Sequence, residues 1–387
     1  MLDNTTRKII HIDSLVIITI VVTLQSLLCE SIITMRWFLN YLEKPFWFTF
    51  IAFAILEMIR NKVNLRSLMY LAIPLLLSFH TSRILINKTF VFTFALMVFC
   101  SNDSIEKVVN IIYHVTRIFF WSHLALFFLS RLLPIGLNDY VLYDELGARY
   151  GIFTYNPNTI ARVFIFYVAL SCFVHDMDLS VKKWLIIFAT TTILFYLTRS
   201  DALYLVGVSF LLTKATGSRG VDRILTFIVK YGVPIFTAFS LSIAWTSRMP
   251  FLQQWLLQLN VLMSNRLTSN LKAIGLYGLT WFGKNSVFGK LFIYQGVTYN
   301  YIYADNMYVY MMVHWGLVYL LLFAFLLFCS ADKLNYKAKA MILILLMYGI
   351  GENGVIGLYS FFSVLIAFSG IVKNDSEKLG VYLGGIQ

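Results

Sequence analysis

What most limits this chain is the recurrence, from Ile12 to Val372, of apolar runs divided by short charged or Pro/Gly-containing breaks. A helix needs about 20 predominantly apolar residues to cross the hydrocarbon core of a bilayer. The breaks place candidate spans at 14–34, 44–59, 67–80, 89–101, 108–133, 158–175, 184–198, 202–213, 224–245, 304–328, 340–351 and 354–372. The expected fold is all-α: one polytopic transmembrane bundle over residues 1–387, of about 12 helices. Several spans are shorter than a full crossing, which leaves room for hairpins that do not traverse.

Composition narrows the function classes. Hydrophobic residues make up 59% of the chain and charged residues 13%, against roughly a quarter charged in a soluble domain. Cytosolic enzymes, nucleic-acid binders and secreted disulfide scaffolds are excluded. The net charge of +12 would suggest nucleic acid in a soluble chain. In a membrane chain, basic loops on the cytoplasmic side account for part of it. Cys29, Cys100, Cys172 and Cys329 fall in separate apolar segments without a CxxC pair, so neither a disulfide nor a metal site is expected. Arg7 and Lys8 followed by an apolar stretch mimic a signal peptide, but the stretch is too long and lacks a small-residue cleavage site. It reads as an uncleaved first helix.

The run 184–213 fixes the expected orientation. As a single helix it would bury Arg199 and Asp201 at mid-membrane, at roughly 2.5–3.5 kcal/mol each. As a hairpin it has Lys182 and Lys183 at one end, Lys214 at the other and Thr198-Arg199-Ser200-Asp201 at its tip. The hairpin is expected, with both termini cytoplasmic. Two outer connections are then longer than turns: 134–157, and a large loop over 246–303 before the tenth helix. Within the second, Leu252, Trp255, Leu256, Leu259, Leu262 and Met263 fall at helical spacing, which predicts an amphipathic helix on the interface.

Arginines on the outer side gain nothing from the positive-inside bias. Arg83, Arg149, Arg199, Arg248 and Arg266 all lie there. The planar guanidinium fork matches phosphate oxygens, so these residues suit an anionic head group; the ordinary alternatives are phospholipid phosphates or nearby carboxylates. Carboxylates share that surface: Asp201 beside Arg199, Asp305 at a helix start and Glu352 in a Gly-Glu-Asn-Gly turn. Any of the three could take a proton from a hydroxyl. Asp305 could equally cap its helix, and Asp201 could simply neutralise Arg199. Tyr299, Tyr301, Tyr303, Tyr308, Tyr310 and Trp315 fit either sugar stacking or an ordinary interfacial belt. His114, Arg117 and His123 within span 108–133 fit a proton relay or an interhelical polar contact, and the contact is preferred. Asp176-Met-Asp178 spells a nucleotide-sugar motif but has no nucleotide-binding domain around it. No dinucleotide, phosphate-loop, zinc-protease or serine-hydrolase motif is present.

In four segments the chain resembles the Wzy-type polysaccharide polymerases, within the superfamily that includes the O-antigen ligases. They are RYGIFTYNPNTIA (149–161), TRSD (198–201), NRLTSNLKAIGLYGLTWFGKNSVFG (265–289) and DNMYVYMMVHWG (305–316). Their order along a many-helix chain with a large late loop carries the likeness. The ligases place His-Asn where this chain has Asp305-Asn306, which favours polymerase. The paired Arg-x10-Gly loops of some polymerases are absent, since the position eleven after Arg266 is Tyr277.

The resemblance implies a glycosyltransferase of the bacterial inner membrane that polymerises undecaprenyl-pyrophosphate-linked oligosaccharide repeats on the outer leaflet. Its partners would be that lipid-linked substrate, membrane lipids, a chain-length regulator and a flippase. No cofactor, metal or nucleic acid is implied. Arg149, Arg199 and Arg266 would hold the pyrophosphates, and Asp305, Glu352 or Asp201 would act as base. Asn156 and Asn158 would bind sugar or shape the loop, and Asn306 and Tyr308 would bind substrate. The close rival is a ligase; the rival from another class is a lipid-linked oligosaccharide flippase, against which the chain shows no internal repeat.

Overall fold

The computed structural model describes residues 14–34, 105–133, 139–144, 147–246, 266–283, 292–294, 297–299 and 306–352, with isolated positions between 41 and 52 and at 137, 254, 255, 258 and 304. In chain order the helices are α1 Ser14–Glu30, α2 Ile105–Leu132, α3 Pro157–Val174, α4 Val181–Thr198, α5 Tyr204–Lys214, α6 Arg219–Thr246, α7 Arg266–Tyr277, α8 Met307–Tyr310, α9 Leu317–Ser330 and α10 Tyr336–Gly351. Four of them (α2, α3, α4 and Arg219–Leu241 of α6) are long and apolar enough to cross a membrane. The chain is a membrane protein built mainly of helices. The spans expected at 44–59, 67–80, 89–101 and 354–372 lie outside the described residues, 44–59 apart from isolated positions.

Local chemistry sets the helix starts. A side-chain oxygen at the N-cap satisfies amides that the first turn leaves unbonded. Asn156 takes Asn158 N at the start of α3, with Pro157 at the first helical position, where a missing N–H is harmless. Ser180 takes Lys183 N for α4, and Asn335 takes Ala338 N for α10. At α8, Asn306 takes both Tyr308 N and Val309 N.

The break expected at Thr198–Asp201 is present, and the chain reverses there. Trp184, early in α4, stacks edge-on with Phe210, late in α5, at 5.0 Å between ring centroids. Arg199 caps α4 in the left-handed conformation, its N–H donating to Phe195 O. A 3-10 turn over Asp201–Leu203 then leads into α5.

The bundle is organised round α3, whose apolar residues are buried on nearly every side. Phe164 meets Phe120 of α2 at 4.9 Å, and Phe166 meets Tyr348 of α10 at 5.5 Å. By contrast α4 leaves Leu185, Phe195 and Tyr196 exposed on its outer side, which in a membrane is the lipid face.

Two expectations need correction. The span 304–328 is not one helix. After α8 the chain makes a π-turn over Met311–Trp315 and breaks at Gly316, with φ 95°. The loop 278–283 runs alongside the break, and the Thr280 and Trp281 carbonyls accept Leu317 N and Val318 N at 2.9 and 3.1 Å. A Cβ on Gly316 would collide with the Trp281 carbonyl. Irregular backbone is tolerated at such depth when protein surrounds and satisfies it.

Second, the fold is not purely helical. The 134–157 connection holds an antiparallel hairpin, β1 Val141–Asp144 with β2 Gly147–Tyr150, and a second one joins β3 Phe292–Tyr294 to β4 Val297–Tyr299. Within the large loop, α7 begins at Arg266. The predicted interfacial helix over 252–263 lies outside the described residues apart from isolated positions.

Candidate functional site

One end of the bundle gathers the ends of α1, α4 and α10, the start of α3 and strand β2. Arg149 sits on β2 opposite Leu142. Its Nε donates to Thr198 O at 2.8 Å, and its Nη2 donates to Asn158 Oδ1 at 3.1 Å. Asn158 Nδ2 in turn donates to Glu352 Oε1 at 3.0 Å. The amide can bridge in only one sense: its oxygen faces a donor-only guanidinium and its NH2 group an acceptor-only carboxylate. A cation is thus linked to a carboxylate across 203 residues of sequence through one amide, and Arg149 also covers a last-turn carbonyl of α4, where positive charge is favoured.

Arg199 reaches the same corner. Its guanidinium lies against Gly147, 3.3 Å from where a Cβ would stand, so any larger residue at 147 would press on it. Its left-handed backbone at the α4 terminus is a position usually taken by Gly or Asn. Glu352 caps α10, its N–H donating to Tyr348 O, and is only 8% exposed.

A second layer lies one helical turn along α3. Arg162, four residues after Asn158 and so on the same face, pairs with Glu30 at the end of α1 at 2.9 Å. Neither residue was singled out as a site residue from sequence. The available signal was an arginine inside an apolar helix, four positions from a polar Asn. Arg149, Arg162 and Arg199 with Glu30 and Glu352 leave an excess of one positive charge.

The loop 150–154 carries this corner. Ile152 and Phe153 both have left-handed backbone, with φ of 52° and 59°. That conformation costs an L-residue roughly 1–2 kcal/mol. It is held by full burial of both side chains and by Asp139, whose carboxylate accepts Phe153 N at 2.6 Å and Ile152 N at 3.2 Å. Burial pushes the Asp139 carboxyl above its ordinary value, against the pull of those amides and of Arg131. Gly151 has no room for a Cβ beneath the Thr154 carbonyl and the Tyr140 backbone. Ile32 N donates to Phe153 O at 2.9 Å and Ser31 bridges to Thr154, tying the loop to the end of α1.

The remaining expected site residues divide. Asn156 is exposed at the N-cap of α3 and shapes the helix start. Asp201 is exposed at the start of the 3-10 turn and forms no ion pair with Arg199 among the described residues. Asn306 and Tyr308 are built into the framework of the bundle. Asn306 is buried, and its Nδ2 donates to Ser240 Oγ and Ile350 O, both at 2.9 Å, while its Oδ1 caps α8. Tyr308 is fully enclosed, with its hydroxyl donating to Leu346 O at 2.8 Å. Asp305 and the side chain of Arg266 lie outside the described residues, as do Arg83 and Arg248.

His123 makes the interhelical contact preferred from sequence, with Nε2 2.8 Å from Ser31 Oγ and Nδ1 2.9 Å from Phe119 O. Asp176 of the nucleotide-sugar-like motif is bound to Lys337 Nζ at 2.6 Å.

Set beside family models, curated proteins and solved structures, the chain matches none of them.

Proposed function

We propose that this chain is a membrane glycosyltransferase that polymerises oligosaccharide repeats carried on a polyprenyl pyrophosphate. The reading is supported chiefly by the Arg149–Asn158–Glu352 chain of hydrogen bonds, with Arg199 beside it. Arg149 and Arg199 neutralise the pyrophosphate as the bond from the sugar anomeric carbon to its phosphate oxygen breaks. The hydroxyl of the incoming repeat attacks that carbon and gives its proton to Glu352. The lipid pyrophosphate leaves and supplies the driving force, so no nucleotide is consumed. Asn158 keeps the carboxylate and the guanidinium at fixed separation, and Arg162 with Glu30 supports the same helix face from one turn away.

The test is the length profile of the surface glycan in cells carrying Arg149→Ala, Arg199→Ala or Glu352→Gln. Loss of long polymer at normal protein level is expected for each, with single repeats accumulating on the outer leaflet. Accumulation on the inner leaflet would identify a flippase instead, and finished but unattached polymer a ligase. Normal polymer in a variant carrying both Arg149→Ala and Arg199→Ala would reject the pyrophosphate assignment.

A further inference from the structure

At the opposite end of the bundle, α2, α3 and α4 enclose an open cavity of about 340 Å³. Its position is set by ring contacts. Tyr113 of α2 meets His175, just past the end of α3, at 5.9 Å. His114, His175 and Lys183 therefore stand at the mouth, and Arg117 lies one turn further in, about 6 Å along α2. Deeper still, Trp121 meets Tyr167 edge-on at 6.4 Å, and Phe164, Ile186 and Ile187 complete an apolar floor.

The charge is one-sided. Among the described residues that line the cavity there are two permanent cations, two imidazoles and no carboxylate. Of the acids next to this region, Glu106 and Asp176 are both bound to Lys337, and Asp178 is exposed in the α3–α4 connection without lining the cavity. Arg117 is exposed within a helix of membrane-crossing length, and its described contact is with the face of the Tyr113 ring, at 5.6 Å. An arginine in such a span faces protein, water or an anion. Tyr113 in turn stacks on Tyr167, at 5.8 Å and 7° between planes.

We infer that this cavity binds the head of a membrane lipid with net negative charge, its phosphate between Arg117 and Lys183 and one hydrocarbon chain along Trp121, Phe164 and Ile187. Cations at the mouth followed by apolar wall within two helical turns match the order of charge and hydrocarbon in a phospholipid. A free anion would leave the floor unused. This site is independent of the glycosyl-transfer reading, being at the other end of α3.

The test uses the purified full chain, stripped of lipid in detergent and then titrated with phosphatidylglycerol, phosphatidylcholine of the same acyl chains, or inorganic phosphate. Bound lipid is counted by native mass spectrometry. One phosphatidylglycerol should be retained about tenfold more tightly than phosphatidylcholine, the scale of one charge-assisted contact. Arg117→Gln with Lys183→Gln should abolish that preference, whereas Arg117→Lys should keep most of it. Lys183→Gln alone, at the exposed mouth, serves if the double variant does not fold, and should lower the preference about threefold. Equal binding of the two lipids, an unchanged preference in the variants, or full displacement by inorganic phosphate would each overturn the inference.

Discussion

The two ends of the bundle handle charge differently. At the end where α6 and α10 begin, three lysines meet carboxylates directly. Lys337 reaches Asp176 and Glu106, Lys339 reaches Asp222, and Lys230 reaches Asp332. Asp176 and Glu106 keep 79% and 63% of their side chains in contact with the surroundings. Pairs of that kind are screened and add little stability. At the Arg149 end Arg162 and Glu30 also pair directly, but the Glu352 carboxylate is buried, and an amide stands between it and the Arg149 guanidinium. Breaking such an arrangement leaves a charge without its partner inside the protein, which is far more costly. Direct pairs tie helices together; the arrangement through Asn158 keeps opposite charges close without letting them collapse on one another.

The comparison breaks most sharply at Glu352. Glu352→Gln retains an oxygen to accept from Asn158, so the fold should survive while polymer synthesis falls by a factor of about 100 or more, the scale of a lost general base. Glycan length and thermal unfolding of the same preparation check both halves. Asp139→Ala comes next. It strips two buried amides of their acceptor, each worth about 1–3 kcal/mol, and should both destabilise the protein and disorder the loop that carries Arg149. Denaturant unfolding measures the first effect, and proteolysis near Tyr150 the second. Lys337→Gln at the other end should lower stability by no more than about 1 kcal/mol and leave polymer length unchanged. A loss as large as that of Asp139→Ala would erase the distinction between the ends.

The ends should also respond to opposite extremes of pH. Asp139 has its carboxyl raised by burial, so its contribution is complete below the ordinary value of 3.8 and is lost as pH climbs through the higher folded value. Asp139→Asn should flatten the acid limb of the stability curve. For Lys337, burial lowers the ammonium, but the hydrogen bonds to Asp176 and Glu106 outweigh it and raise the value above 10.5. Its contribution should hold through neutral pH and fade only in strong alkali, a limb that Lys337→Gln removes.

Much of the helical framework was legible because apolar runs and caps are local signals. The starts of α2, α3 and α4 lie within about three residues of the predicted spans, and the reversal at Arg199 followed from the expense of burying Arg199 and Asp201. The hairpin β1–β2 was not legible, being four residues a side in a loop whose length alone stood out. Asn306 and Tyr308 show how one residue type can serve several roles. A polar Asn and a Tyr at a helix start suit sugar, yet they also suit capping and a buried hydroxyl bond, and only packing decides. The Asn158–Glu352 contact spans 194 residues, and no local pattern encodes it. Glu352 was noticed solely because a carboxylate interrupted two apolar runs.

The enclosure of α3 has a consequence for how the protein is made. As synthesis proceeds, this segment emerges from the ribosome before α4, α5 and α10 exist, yet those are the neighbours that later shield Asn158 and Arg162. Until they arrive, α1 and α2 are the described helices at hand to receive it, with Glu30 as the early counter-ion. The enclosure of α3 is therefore complete only once the stretch ending at Glu352 docks, and a chain stalled before that point would hold α3 half-clothed, open to quality-control proteases.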